Sequence, residues 1–181
     1  MARTLTLIAA FVTLTGASAS ASTPRVPHVR MRDAGVERLL QEGLDRSPTL
    51  RRLVRTLESS NVIVYVELKM DMPDSLPAGL AFGGAGGGVR YLRVWLNPSN
   101  TRTQMIAMLG HELHHAVEVA AAPSVRCADT LAAHFATIGR RAANGWETDA
   151  ARNAGRAVQR EFIAGTGLAT ASSTHSVVER E

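Results

Sequence analysis

Residues 102–121 read Arg102-Thr103-Gln104-Met105-Ile106-Ala107-Met108-Leu109-Gly110-His111-Glu112-Leu113-His114-His115-Ala116-Val117-Glu118-Val119-Ala120-Ala121. Met105, Ile106, Met108, Leu109, Leu113, Ala116 and Val117 make this stretch apolar around much of a helical circumference, which predicts a helix lying deep in the domain. Asn97 to Thr101 supplies caps before it, and Pro123 ends it. At about 100° per residue, His111 and His115 sit some 40° apart around the helix and one turn apart along it. Two imidazoles so placed can hold one tetrahedral zinc ion. Glu112 lies beside the first of them, where a carboxylate can take a proton from a water that the metal activates. On a buried helix these groups are costly without a metal or partners. His114 points roughly 80° away from the bisector of the pair and reads as structural, with a His111/His114 pair left open.

The flanking sequence supplies the rest of an α+β fold. Asn61 to Leu68 is β-branched and aromatic and predicts a strand. Val89 to Leu96 predicts a second, with Arg90, Leu92, Val94 and Leu96 on one face and Val89, Tyr91, Arg93 and Trp95 on the other. Its two arginines suggest an edge position. Between them, Met70 to Gly88 contains Pro73, Pro77 and a glycine-rich run from Gly83, which reads as a mobile hairpin connection or flap. That run lacks the Lys-Ser/Thr of a phosphate loop and precedes a strand rather than a helix, which argues against phosphate.

Leu39, Leu40 and Leu44 mark one upstream helix, and Ser47-Pro48 starts another whose stripe is Leu50, Leu53, Val54 and Leu57. Downstream, helices are predicted over 124–138 and 147–164, separated by Gly139 to Trp146 with its Asn144-Gly145 turn. The expected architecture is a small α+β domain, a short sheet or hairpin packed on the buried motif helix plus several further helices.

Length and composition bound the rest. With 181 residues and 45% hydrophobic content the chain supports one core. Arg3, the apolar run Leu5 to Leu14 and the small residues from Ala17 to Ala21 read as a signal peptide over 1–21. A linker over 22–32, a domain over 33–164 and a disordered tail over 165–181 complete the division. Export to the periplasm or medium follows, with no stable membrane insertion after signal cleavage. Cys127 stands alone, so no internal disulfide forms. The pI of about 10.2 invites a nucleic-acid or membrane reading. However, the basic residues are scattered, and the densest group, Arg51, Arg52 and Arg55, has no aromatic interleaving and reads as a solvated helix face. No nucleic-acid partner is expected.

The segment His111 to Val117 resembles the active-site helix of the zincin metallopeptidases, most closely the thermolysin-like branch in having Leu, Ala and Val at 113, 116 and 117. The resemblance covers this helix, with Glu147 as a candidate extension of it. It implies metal-assisted hydrolysis of a peptide or protein substrate, Zn2+ as cofactor and Glu112 as proton shuttle. It also requires a third protein ligand. Metzincins take a histidine shortly after a glycine that follows the motif, which this helical continuation lacks. Gluzincins take a Glu from a following helix, and Glu147, 147 − 115 = 32 residues on, fits. Glu118 competes, as ligand or as a partner of a ligand histidine. Asp149 is a candidate to orient a ligand histidine. Tyr65, Tyr91 and His134 are candidates to stabilise an oxyanion, with His134 favoured because it lies between the motif and the presumed third ligand. In zincins an edge strand pairs with extended substrate, a part open to Val89 to Leu96. Two rival readings remain: a structural or sensory zinc site without turnover, and a metal-free cationic module for anionic polymers or membranes.

Overall fold

The computed structural model describes residues 27–143 and 145–174, with side chains to 165. Four strands, β1 (Val29–Met31), β2 (Val62–Leu68), β3 (Ala78–Gly86) and β4 (Val89–Leu96), form one sheet in the order β1-β2-β4-β3. β1, β2 and β4 run parallel, and β3 pairs antiparallel with β4. Among the described residues, five helices, α1 (Ala34–Arg46), α2 (Pro48–Glu58), α3 (Arg102–Ala121), α4 (Ala128–Ile138) and α5 (Asp149–Thr174), and a hairpin of β5 (Arg140–Ala142) and β6 (Gly145–Glu147) complete a small α+β domain.

Alternation in the parallel strands sets the core. Val62, Val64 and Val66 of β2 and Leu92, Val94 and Leu96 of β4 are fully buried beneath Leu50 and Leu57 of α2 and Ile106, Leu109 and Leu113 of α3. Each such side chain contributes about 1.5–3 kcal/mol on burial. α3 runs over the residues that its periodicity predicts. Thr101 caps it, with Gln104 returning a bond to the Thr101 N–H. Ser47 caps α2 ahead of Pro48, again as the sequence suggests.

Several expectations are corrected. The glycine-rich segment is not a flap: Ala78–Gly86 is a paired strand, because glycine tolerates extended backbone and the positive φ of Gly87 and Gly88 closes a tight turn into β4. β4 is not an edge strand, since β2 and β3 flank it and β3 takes the outer position. Arg90 is accommodated in a central strand because it is a helix cap. Its Nη1 donates to the Val119 and Ala122 carbonyls at 2.7 Å each, and its Nη2 donates to Ala120 O at 3.2 Å and Asn61 Oδ1 at 2.6 Å. A guanidinium there also complements the negative end of the α3 dipole.

Within the expected linker over 22–32, residues 29–31 form β1, ahead of the expected domain start at Asp33, and their register with β2 brings Val29 against Val64, while residues 22–26 lie outside the described residues. α4 starts at Ala128 rather than Ser124, and the expected loop from Gly139 to Trp146 is the β5–β6 hairpin. α5 continues to Thr174, beyond the expected tail boundary at 165: Gly165 and Gly167 are poor helix formers but keep their N–H groups, so an established helix runs through them. The expected signal peptide and the last residues, 175–181, lie outside the described residues. Among the described residues no helix is long and apolar enough to cross a membrane.

These contacts set two expectations for stability. Arg90→Leu removes a charged donor from the Val119, Ala120 and Ala122 carbonyls at the end of α3 and should lower unfolding free energy by about 2–4 kcal/mol in urea titrations. Glu161 of α5 accepts from Ser47 Oγ at 2.5 Å, Thr49 N at 3.0 Å and Thr49 Oγ1 at 2.7 Å. Burial raises its pKa, but these bonds outweigh burial and hold it below the usual range. Its contribution is therefore complete above an unfolded pKa of about 4.3 and is lost as pH falls through the lower folded value. Glu161→Gln should lower the melting temperature at neutral pH, and the difference from the parent protein should shrink as pH falls below about 4.3 and vanish once the lower folded pKa is passed.

Candidate metal centre

α3 and α5 approach closely where their side chains vanish. A Cβ on Gly110 would stand 2.6 Å from Val158 Cγ2, and one on Gly155 would meet Ala107 O at 3.1 Å and His111 Cβ at 3.2 Å. This contact holds the motif face of α3 against the chain segment that enters α5. Thr148 opens α5, its Oγ1 accepting from Ala151 N at 3.1 Å. Glu147 therefore sits at the end of β6, not within the following helix. Gly139 fixes that strand end from the other side, because a Cβ there would lie 2.8 Å from the Glu147 carbonyl.

The result is a three-residue cluster. Glu147 Oε1 lies 3.5 Å from His111 Nε2 and 3.7 Å from His115 Nε2, and one ligand atom from each residue falls within 4.8 Å of the others. Tetrahedral bonds of about 2.0–2.1 Å separate ligand atoms by about 3.3 Å, close to the two shorter distances. Glu147 Oε1 is buried without a hydrogen-bond partner. Desolvation of a carboxylate oxygen facing two ring nitrogens is unfavourable as it stands and becomes favourable once a cation lies between them. The donor set thus fits a metal ion.

The two histidines are shifted in opposite directions. Burial, then the neighbouring His115, lowers the His111 pKa to about 4, which keeps a lone pair free for ligation. Burial lowers the His115 pKa too, but a bond to Glu118 and the charges of Glu112, Glu118 and Glu147 outweigh it and leave it raised. Glu118 Oε2 lies 2.7 Å from His115 Nδ1 while its Oε1 accepts from Thr148 Oγ1 at 2.7 Å. Of the two carboxylates left open by the sequence, Glu147 faces the Nε2 atoms and Glu118 holds the far side of a ring, directing His115 Nε2 toward the cluster. Glu112 is buried, which raises its pKa to about 7.

All four residues, His111, Glu112, His115 and Glu147, line a cavity of about 700 Å³. Its walls are largely apolar: Ala78 and Leu80 of β3, Met108 of α3, Leu131 and Phe135 of α4, and Trp146 of β6. The remaining candidates are elsewhere. His134 does not line this cavity: one turn of α4 presents Phe135 to His115, ring centroids 4.9 Å apart, and turns its neighbour aside. Tyr65 and Tyr91 stack on each other on the far face of the sheet. Asp149 is exposed and pairs with Arg140 and Arg152 at 2.8 Å each, not with a ligand histidine. His114 lies 3.7 Å from Glu118 and outside the cluster. Sequence reasoning missed Gly139 and Gly155. Their only signal was glycine in or beside predicted helices, where it is otherwise unfavourable.

No protein-family model, curated protein or solved structure matches the chain.

Glu118→Gln should weaken metal-ion binding about 10- to 100-fold, measured by chelator competition with Zn2+ as the probe ion, because the amide no longer enforces the His115 tautomer. Glu147→Ala should weaken it further.

Proposed function

We propose that this chain is an exported zinc metallopeptidase that cleaves peptide bonds. The observation that carries the reading is the orphaned, buried Glu147 Oε1 opposite His111 and His115, with the Glu112 carboxyl desolvated in the same cavity. His111, His115 and Glu147 would hold the ion. Bound zinc supplies Lewis acidity that acidifies a water and polarises a carbonyl. Glu112 accepts the proton of the attacking water and delivers it to the leaving amine, a task suited to a carboxyl whose pKa burial has lifted to about 7.

Extended peptide would enter along the sheet edge. β4 has partners on both sides, so the edge available for strand addition is β3, whose Ala78, Gly79 and Leu80 border the cavity. The apolar walls suit a substrate with an apolar side chain near the cleaved bond. Peptide or protein substrate and periplasmic or extracellular location complete the reading, the latter resting on the leader-like residues 1–21.

A purely structural or sensory zinc site would use the same ligands, and Glu112 separates the two. In Glu112→Gln, zinc content should stay at the level of the parent protein while hydrolysis of a fluorogenic peptide library falls about 10²- to 10⁴-fold. Undiminished hydrolysis would remove Glu112 from its role. A parent protein that takes up zinc but cleaves no peptide would favour the structural site.

A further inference from the structure

The helices cover one face of the four-stranded sheet. The opposite face carries Arg30 from β1, Tyr65 and Glu67 from β2, and Tyr91, Arg93 and Trp95 from β4. The register sets Arg30 beside Tyr65, Tyr65 beside Arg93, Ile63 beside Tyr91 and Glu67 beside Trp95, so rings and cations alternate along β4 and across the row Arg30, Tyr65 and Arg93. Tyr65 and Tyr91 stack with centroids 6.4 Å apart. The guanidinium groups of Arg30 and Arg32 lie 5.5 and 5.8 Å from the Tyr65 ring, and Lys69 and Arg93 lie 5.2 and 5.5 Å from the Trp95 ring. On β3 the residues in register with Trp95, Arg93 and Tyr91 are Gly79, Ala81 and Gly84, too small to screen the rings.

We propose that this open sheet face binds single-stranded nucleic acid, with bases stacking on Tyr65, Tyr91 and Trp95 and phosphates pairing with Arg30, Arg32, Lys69 and Arg93. The charge is complementary. The carboxylate of this face, Glu67, is engaged by Arg93 at 2.5 Å, Trp95 Nε1 at 2.8 Å and Arg32 at 3.4 Å, so Arg30, Arg32, Lys69 and Arg93 carry three positive charges beyond the one it neutralises, 4 − 1 = 3. Arginine also suits the task, because its planar group both stacks and pairs with phosphate.

A membrane surface is a poorer match. Among the described residues the exposed large hydrophobic side chains are Met70, Ile138 and Ile163, and none belongs to these strands. An acidic polysaccharide offers the charge but no aromatic base to lie against rings and guanidinium planes. The proposal departs from the expectation that no nucleic acid binds. That expectation rested on basic residues scattered along the chain, whereas the sheet interleaves them with rings from separate strands.

The test uses the full chain and a fluorescein-labelled single-stranded oligothymidine, read by anisotropy across a salt series. A duplex of equal length, heparin and anionic phospholipid vesicles serve as competitors. The single strand should bind about ten-fold or more tighter than the duplex. Tyr91→Leu should weaken it about ten-fold without changing the salt dependence. Arg93→Gln should reduce the slope of log affinity against log salt by about 0.7. Zinc uptake and melting temperature matching the parent protein separate these effects from misfolding. Equal affinity for duplex, preferential binding of heparin or vesicles, no binding at low salt, or full affinity in a folded Tyr91→Leu protein would each overturn the proposal. None of these readouts depends on peptidase activity.

Discussion

Desolvation of ionisable groups on α3 is the constraint around which the molecule is organised. A helix that buries Glu112 and His115 and half-buries His111 forfeits their hydration, and the fold must return it through neighbours. Glu118 and Thr148 do so for His115 on its Nδ1 side. On the Nε2 side the returning group is Glu147, whose own oxygen lacks a hydrogen-bond donor. A protein site that leaves a carboxylate oxygen facing two imidazoles favours a cation between them, and that single preference links the packing of α3 on α5 to the chemistry proposed for the cavity.

The sheet divides its labour by face. Toward the helices its β-branched and leucine side chains form the core, and Arg90 enters that side only by satisfying the last carbonyls of α3. The same strands present rings and cations to the other side, where Glu67 ties two arginines and a tryptophan together. Trp95 and Lys69 also border the cavity, so the two surfaces meet at the C-terminal end of β4, beside the β3 edge.

Elements with strong local signals are legible in the amino-acid sequence. The limits of α3, the Ser47-Pro48 start of α2 and the identity of β2 and β4 follow from periodicity, caps and β-branched content. Elements whose stability comes from partners are not. β3 is glycine-rich and gains strand character only by pairing with β4, and the β5–β6 hairpin packs beside α4 and carries Glu147 to His111 and His115. Charge misleads in the same way: two arginines mark β4 as an edge, but a carboxylate and helix carbonyls brought from distant segments satisfy them in a central strand.

For the cluster the division is similar. The residues themselves determined that His111 and His115 share one helix face with Glu112 at their side, because an i, i+4 relation within a helix is fixed by 3.6 residues per turn and needs no tertiary information. Only the tertiary structure decided which carboxylate faces the two Nε2 atoms, that it arrives at the end of a strand instead of within a helix, and that His134 and Asp149 stand outside. Those outcomes depend on how closely α3 and α5 approach at Gly110 and Gly155 and on the turn of a hairpin. Such long-range contacts arise from packing of the whole core, and no spacing along the chain encodes them.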